Sequence, residues 1–209
     1  MACAPLISGN KSSKLLISKL NKELVTDEKF SAVDMRTQTL KATEFENCQF
    51  RNCVFSNAEL TDTSFSECEF EACDFSSAKI RNTAFKDAVF RDCKLLGVKF
   101  ENCNKFLLQF HFEGCQVDYS TFYQLKLPKT TFNRCSLKEA DFSNADISGS
   151  DFSNCDLRGA VFENTNLEKV DFRTAENYNI NLESNRVAKA RFSQHGLKGL
   201  LSKYNLIIE

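Results

Sequence analysis

Apolar positions recur along this chain every five residues. From Phe30 to Phe100 each multiple of five is apolar: ten are Phe, and Met35, Leu40, Leu60, Ile80 and Leu95 fill the rest. The phase then moves by two. It runs through Phe112, Val117, Phe122 and Leu127 to Leu167 and Phe172, misses at Asn177, and returns at Leu182, Val187 and Phe192. Of the 20 Phe, only Phe106 and Phe110 lie off this rule. The position two residues before each centre is mostly small, as at Cys48, Ala58, Thr63, Cys73, Ala140, Ser150 and Cys155. The other three slots are mostly polar. A five-residue period fits neither a helix of 3.6 nor a strand of 2.0. It fits a solenoid in which each pentad forms one short side and a turn, with one large and one small residue pointing inward.

The stretches "SNAEL", "KEADF", "SNADI" and "LRGAVF" resemble the pentapeptide-repeat family, whose motif is A(D/N)Lxx. The resemblance spans about residues 30–192. It implies an all-β fold, a right-handed quadrilateral β-helix with four pentads per coil, so that residues 20 apart stack on one face. Seven to eight coils result. At ~4.8 Å per coil the rod is roughly 35–40 Å long, and an end-to-end dimer about 75 Å. The order of parts narrows the resemblance. It runs as an N-terminal cap (1–29), a first coil block (30–100), an insert (101–111), a second block (112–192) and a tail (193–209). This layout is similar to the topoisomerase-protecting subgroup, which holds the Qnr quinolone-resistance, albicidin-resistance (AlbG) and microcin-immunity (McbG) proteins. "CKLLGVKF" and "TEFENCQFRNCVFSNAEL" look most like the albicidin-resistance member. The subgroup implies a dimer joined through its C-terminal segments that binds DNA gyrase or topoisomerase IV.

A solenoid has open ends that need covering. Residues 13–25 carry a helical pattern with Leu16, Leu20 and Leu24, suited to an N-terminal cap. At the other end Leu197, Leu200, Leu201 and Tyr204 share one helical face. Leu206, Ile207 and Ile208 read as a short strand. The expectation is a cap that also dimerises. In the insert, Phe106, Leu107, Leu108 and Phe110 either fold back on the coil or touch a partner.

Composition narrows the chemistry. The chain has 209 residues, 27 Lys+Arg and 28 Asp+Glu, for a net charge of −1. That balance argues against a bulk-basic nucleic-acid binder, and no apolar run is long enough to span a membrane. Direct nucleic-acid binding and membrane association are therefore not expected. Most of the 10 Cys occupy the small inward slot without CxxC spacing, so they read as buried hydrophobes rather than metal ligands. Ten reduced thiols favour a cytoplasmic setting. His111 and His195 lie in no nucleophile or metal motif. Neither catalysis nor a cofactor is expected.

The charge is unevenly spread. Residues 44–74 are acidic, and 76–105 are basic, with Lys79, Arg81, Lys86, Arg91, Lys94, Lys99 and Lys105. Residues 139–171 are acidic again, with Glu139, Asp141, Asp146, Asp151, Asp156, Glu163, Glu168 and Asp171. On a rod of duplex width these last carboxylates read as a DNA mimic facing a topoisomerase groove. The competing reading is that the Asp residues hold turn backbone and encircle the rod. The functional expectation is a non-enzymatic DNA mimic that shields a type II topoisomerase from a quinolone, albicidin or microcin. The alternative is a structural interaction module with a different partner.

Overall fold

The computed structural model describes residues 23–38 and 40–207. Ten short strands build two parallel sheets. Strands β1 (Leu24–Thr26), β3 (Glu44–Glu46), β5 (Ser64–Ser66) and β7 (Ala84–Lys86) form one. Strands β2 (Lys29–Ser31), β4 (Gln49–Arg51), β6 (Glu69–Glu71), β8 (Ala88–Arg91), β9 (Phe110–Glu113) and β10 (Thr131–Asn133) form the other. Register advances by 20 residues per coil, as in Phe30 opposite Phe50 and Phe50 opposite Phe70. Single parallel bridges continue the same 20-residue ladder on the other sides and extend the second sheet's side beyond β10, through Thr131–Asp151 and Asp151–Asp171 to Asp171–Arg191.

Because parallel neighbours sit ~4.8 Å apart, inward rings must stack at nearly that distance. The longest column runs Phe30, Phe50, Phe70, Phe90, Phe112, Phe132, Phe152, Phe172 and Phe192, with interplanar angles of 8° to 21°. That is eight coil-to-coil steps, about 38 Å of rod. Rings on adjacent sides meet edge to face, for example Phe65–Phe70 at 5.3 Å and 78° and Phe70–Phe75 at 5.1 Å and 87°. Parallel stacks meeting at right angles give the four-sided cross-section that the family resemblance implies.

Two of the slots have reasons beyond size. The small inward residue donates a hydrogen bond to the carbonyl of a large centre one coil below. Thr63 Oγ1 donates to Leu40 (2.9 Å), Thr83 Oγ1 to Leu60 (2.8 Å), Ser120 Oγ to Leu95 (2.6 Å) and Cys73 Sγ to Phe50 (3.3 Å). Cys, Ser and Thr thus cross-link coils where Ala only fits. All nine described cysteines are buried and free. Burial pushes the Cys103 thiol up, and contact with Cys135 together with burial pushes Cys115 up to about 12.

The residue two beyond most centres turns the corner in the left-handed region. Asn47, Asn52, Asn57, Asn82, Asn144, Asn154 and Asn164 have φ of 51° to 58° there, a conformation Asn tolerates better than most residues.

Three expectations need correction. The coil starts before residue 30: Leu24 and Val25 belong to β1, and Val25 is buried opposite Phe45. A helical cap therefore does not extend to residues 24–25, and its remainder, with Leu16 and Leu20, lies outside the described residues. At the far end Leu182 is exposed, while Tyr178 and Ile180 are buried instead. This side of the last coil is bent to receive a short helix, α1 (Lys198–Leu201), through the Ile180 N–H to Gly199 carbonyl bond of 3.0 Å. Finally, Leu206 and Ile207 are in neither strand nor helix, and Ile208 lies outside the described residues.

Candidate partner-binding surface

Of the Asp residues of the second block only Asp151 and Asp171 stack on one face. Asp141, Asp146, Asp151 and Asp156 each bridge to different columns, at residues 121 and 161, 126 and 166, 131 and 171, and 136 and 176 respectively. Each carboxylate accepts a hydrogen bond from the backbone N–H two residues on: Ser143 (2.8 Å), Ser148 (3.0 Å), Ser153 (2.9 Å) and Arg158 (3.2 Å). Asp171 does the same with Arg173 (3.1 Å) and is gripped by its guanidinium and by Arg191. Glu168 pairs with Arg186 at 2.7 Å. Glu139 and Glu163 are exposed. The five Asp residues thus fasten turns around the rod, because the slot before each centre lies within reach of the corner N–H. They do not make a single axial stripe.

The carboxyls show that role in their acidity. The hydrogen bond from the Arg173 side chain holds Asp171 below the ordinary value of 3.8 despite partial burial. Burial works to raise Asp146 and Asp156. Their hydrogen bonds outweigh it, from Ser148 and Asn166 to Asp146 and from Asn177, Arg158 and Lys138 to Asp156, and both are lowered. A carboxyl depressed in the folded state stabilises above its unfolded pKa, and that contribution is lost as pH falls through the folded value. The expected result is a Tm that drops below about pH 4. Thermal melts should show a smaller drop for the triple variant Asp146→Asn, Asp156→Asn, Asp171→Asn, since Asn keeps the turn but cannot titrate. An equal drop would contradict this assignment.

The acidic and basic segments of the first block also change character in three dimensions. Arg51 pairs with Glu71 (2.7 Å), Lys79 with Glu59 (3.4 Å), and Arg91 with Glu69 (3.5 Å) and Glu113 (3.7 Å). Charges about one coil apart in the chain become neighbours at these pairs, whereas Arg81 and Lys99 are exposed with no ion pair among the described residues. Exposed pairs of this kind contribute only about 0–1 kcal/mol each. Their consequence is a mixed surface on the second sheet, where Arg51, Glu69, Glu71, Arg91 and Glu113 lie.

The insert divides in two. Phe110 is fully buried in β9 and packs on Phe85 (5.5 Å), Phe100 (5.1 Å) and Phe112 (5.5 Å). Leu108 leans on the core. Phe106 and Leu107 face solvent at 69% and 63% exposure. The loop that carries them is pinned at both ends, by Asn104 N–H to the Thr83 carbonyl (2.9 Å) and Gln109 N–H to the Phe85 carbonyl (3.1 Å). Asn104 Oδ1 accepts the Phe106 N–H at 2.9 Å. Leu107 sits at φ 54°, an unfavourable conformation for a bulky side chain. An ordered loop therefore presents two apolar side chains to water.

At the C-terminal end Leu200 is buried, Leu201 is half-buried, and Leu197, Tyr204, Leu206 and Ile207 are exposed. Leu200 thus serves the cap of its own chain. The terminal turn is further held by Tyr204 Oη donating to Glu183 (3.0 Å) and Ser202 Oγ to Asn179 (2.5 Å). These four exposed side chains lie at the C-terminal end of the coil, among exposed Lys198, Ser202, Lys203 and Asn205.

Comparisons with known proteins match this architecture. The profile for a pentapeptide repeat region matches residues 63–142, and that for pentapeptide repeats (8 copies) matches 39–71 and 135–173. No curated protein matches the chain. Among solved structures, two trypsin-treated variants of QnrB1, a plasmid-mediated fluoroquinolone resistance protein, superpose with a TM-score of 0.54 at 18% identity. They cover 89% and 88% of this chain, and 100% and 99% of their own. HetL from the cyanobacterium Nostoc, a pentapeptide repeat protein involved in heterocyst differentiation regulation, gives 0.40 at 14% identity, over 87% of this chain and 79% of its own. These are similarities of fold. With both profiles spanning residues 39–173 and the four-sided stack beneath them, the chain belongs to the pentapeptide-repeat family.

Proposed function

We propose that this protein is a non-enzymatic binder of a type II topoisomerase, DNA gyrase or topoisomerase IV, that protects it from an inhibitor of the quinolone, albicidin or microcin kind. The observation that carries this reading is the pinned loop with Phe106 and Leu107 held out in water. Aromatic side chains are enriched at protein interfaces, and Phe106 is held out on an ordered loop. The similarity of fold to a fluoroquinolone resistance protein over 89% of the chain supports the choice of partner. The exposed end at Leu197, Tyr204, Leu206 and Ile207 supports a homodimer joined tail to tail. Carboxylate mimicry of DNA carries less weight, because five of the acids are engaged in turns. Among the described residues no helix is long and apolar enough to cross a membrane.

Binding of purified gyrase and topoisomerase IV to the immobilised protein tests the proposal. The variant Phe106→Ala, Leu107→Asn should bind at least about tenfold more weakly, the scale of losing an aromatic anchor. Its Tm should hold or rise slightly, because Asn suits the left-handed corner. Binding of neither enzyme by the folded wild-type protein would favour the alternative, an interaction module with another partner.

A further inference from the structure

We infer that the corner beside Gly97 binds single-stranded nucleic acid. A groove of about 760 Å³ runs across three coils there, with Lys41, Lys79, Arg81 and Lys99 against a single carboxylate, Glu59. All four cations are exposed, and only Lys79 pairs within the groove, with Glu59 at 3.4 Å. The floor is open because Gly97 takes the corner slot. It has φ +65°, and a Cβ there would meet only Ser77 Oγ, at 3.9 Å.

One coil further on, two tyrosines lie beyond the end of the groove. The Gly97 N–H donates to the Asp118 carbonyl (3.0 Å), and the Phe100 N–H to that of Thr121 (2.9 Å). This places Tyr119 and Tyr123 directly beyond Gly97 and Glu101. They are 66% and 40% exposed. Tyr119 occupies the left-handed corner at φ 60°, a conformation that suits Asn, Asp or Gly better than a bulky side chain, so an aromatic ring is displayed at some conformational cost.

Cations two residues apart on one side lie about 6.6 Å from each other and those on successive coils about 4.8 Å, spacings that follow a flexible phosphate chain. Exposed rings at the end of such a groove stack unpaired bases, whose faces a duplex hides. No helix or ribbon projects here to enter a duplex groove. The net charge of −1 averages this site away, which is why composition points against nucleic acid.

The test is fluorescence anisotropy of a labelled oligothymidylate with the whole protein and no topoisomerase present, so its outcome is independent of the preceding proposal. With up to four phosphates neutralised, the slope of log K against log salt should approach about −3, or a roughly fiftyfold loss between about 50 and 200 mM salt. Gly97→Asp should weaken binding at least about tenfold while leaving Tm unchanged, since Asp accepts positive φ and the space is open. Tyr119→Ala, Tyr123→Ala should weaken binding without changing the salt slope. The inference is overturned if the oligonucleotide does not bind at low salt, or if Gly97→Asp binds as well as wild type. It is equally overturned if a duplex or an oligoglutamate peptide binds as tightly as the single strand.

Discussion

Phe152→Ala is expected to cost about 3–5 kcal/mol, the range for a fully buried Phe, and to lower the midpoint of urea unfolding accordingly. Its ring is 0% exposed. It stacks on Phe132 at 4.8 Å and Phe172 at 5.1 Å and meets Phe142 edge-on at 5.7 Å. Neighbouring coils cannot collapse into the gap, because the ladder fixes their spacing. In a solenoid each coil contacts only its neighbours, so a mid-rod cavity weakens the interface on both sides. Phe192→Ala removes an identical side chain from the partly buried end of the same column. It should cost clearly less. Equal losses would show that stability does not reside in the stack.

Gly199→Ala is expected to detach the C-terminal cap. A Cβ at this position would stand 2.2 Å from the Tyr178 carbonyl oxygen and 3.0 Å from its ring. Backbone cannot yield as a flexible side chain does, so α1 must lift. That breaks the Ile180 N–H to Gly199 carbonyl bond and uncovers Leu200, Ile180 and Tyr178. Because the damage lies at one end, the coils through Phe172 should persist with near-native circular dichroism. Rapid trypsin cleavage at Lys198 or Lys203 should appear, and any dimer seen by light scattering should be lost. Retention of both protease resistance and dimer would place the dimer contact away from this cap.

The centres of this fold were legible in the sequence because a four-sided coil leaves each pentad one large inward position. Phe45, Phe65 and Phe85 announce their column by spacing alone. The corner and the small slot were only half legible. Size was visible at Cys73 and Thr83, but their donation to a carbonyl 23 residues earlier requires the coil to be closed. The last coil was misread at Leu182 because an external element, the terminal helix, sets which residues turn inward, and Tyr178 arrives one residue off the period. The surface was least legible. Charges grouped along the chain, such as Glu69 and Arg91, become neighbours only once the coil completes a turn. The insert's length could be read, but not that Phe110 would enter the core while Phe106 stays out.

Protection of a type II topoisomerase is measured most directly by DNA supercoiling with purified gyrase in the presence of a fluoroquinolone and increasing amounts of the folded protein. Supercoiled product should recover and cleaved DNA should decline, while Phe106→Ala, Leu107→Asn should restore neither. Unchanged supercoiling and cleavage at saturating protein, for gyrase and for topoisomerase IV alike, would contradict a protective role for this rod.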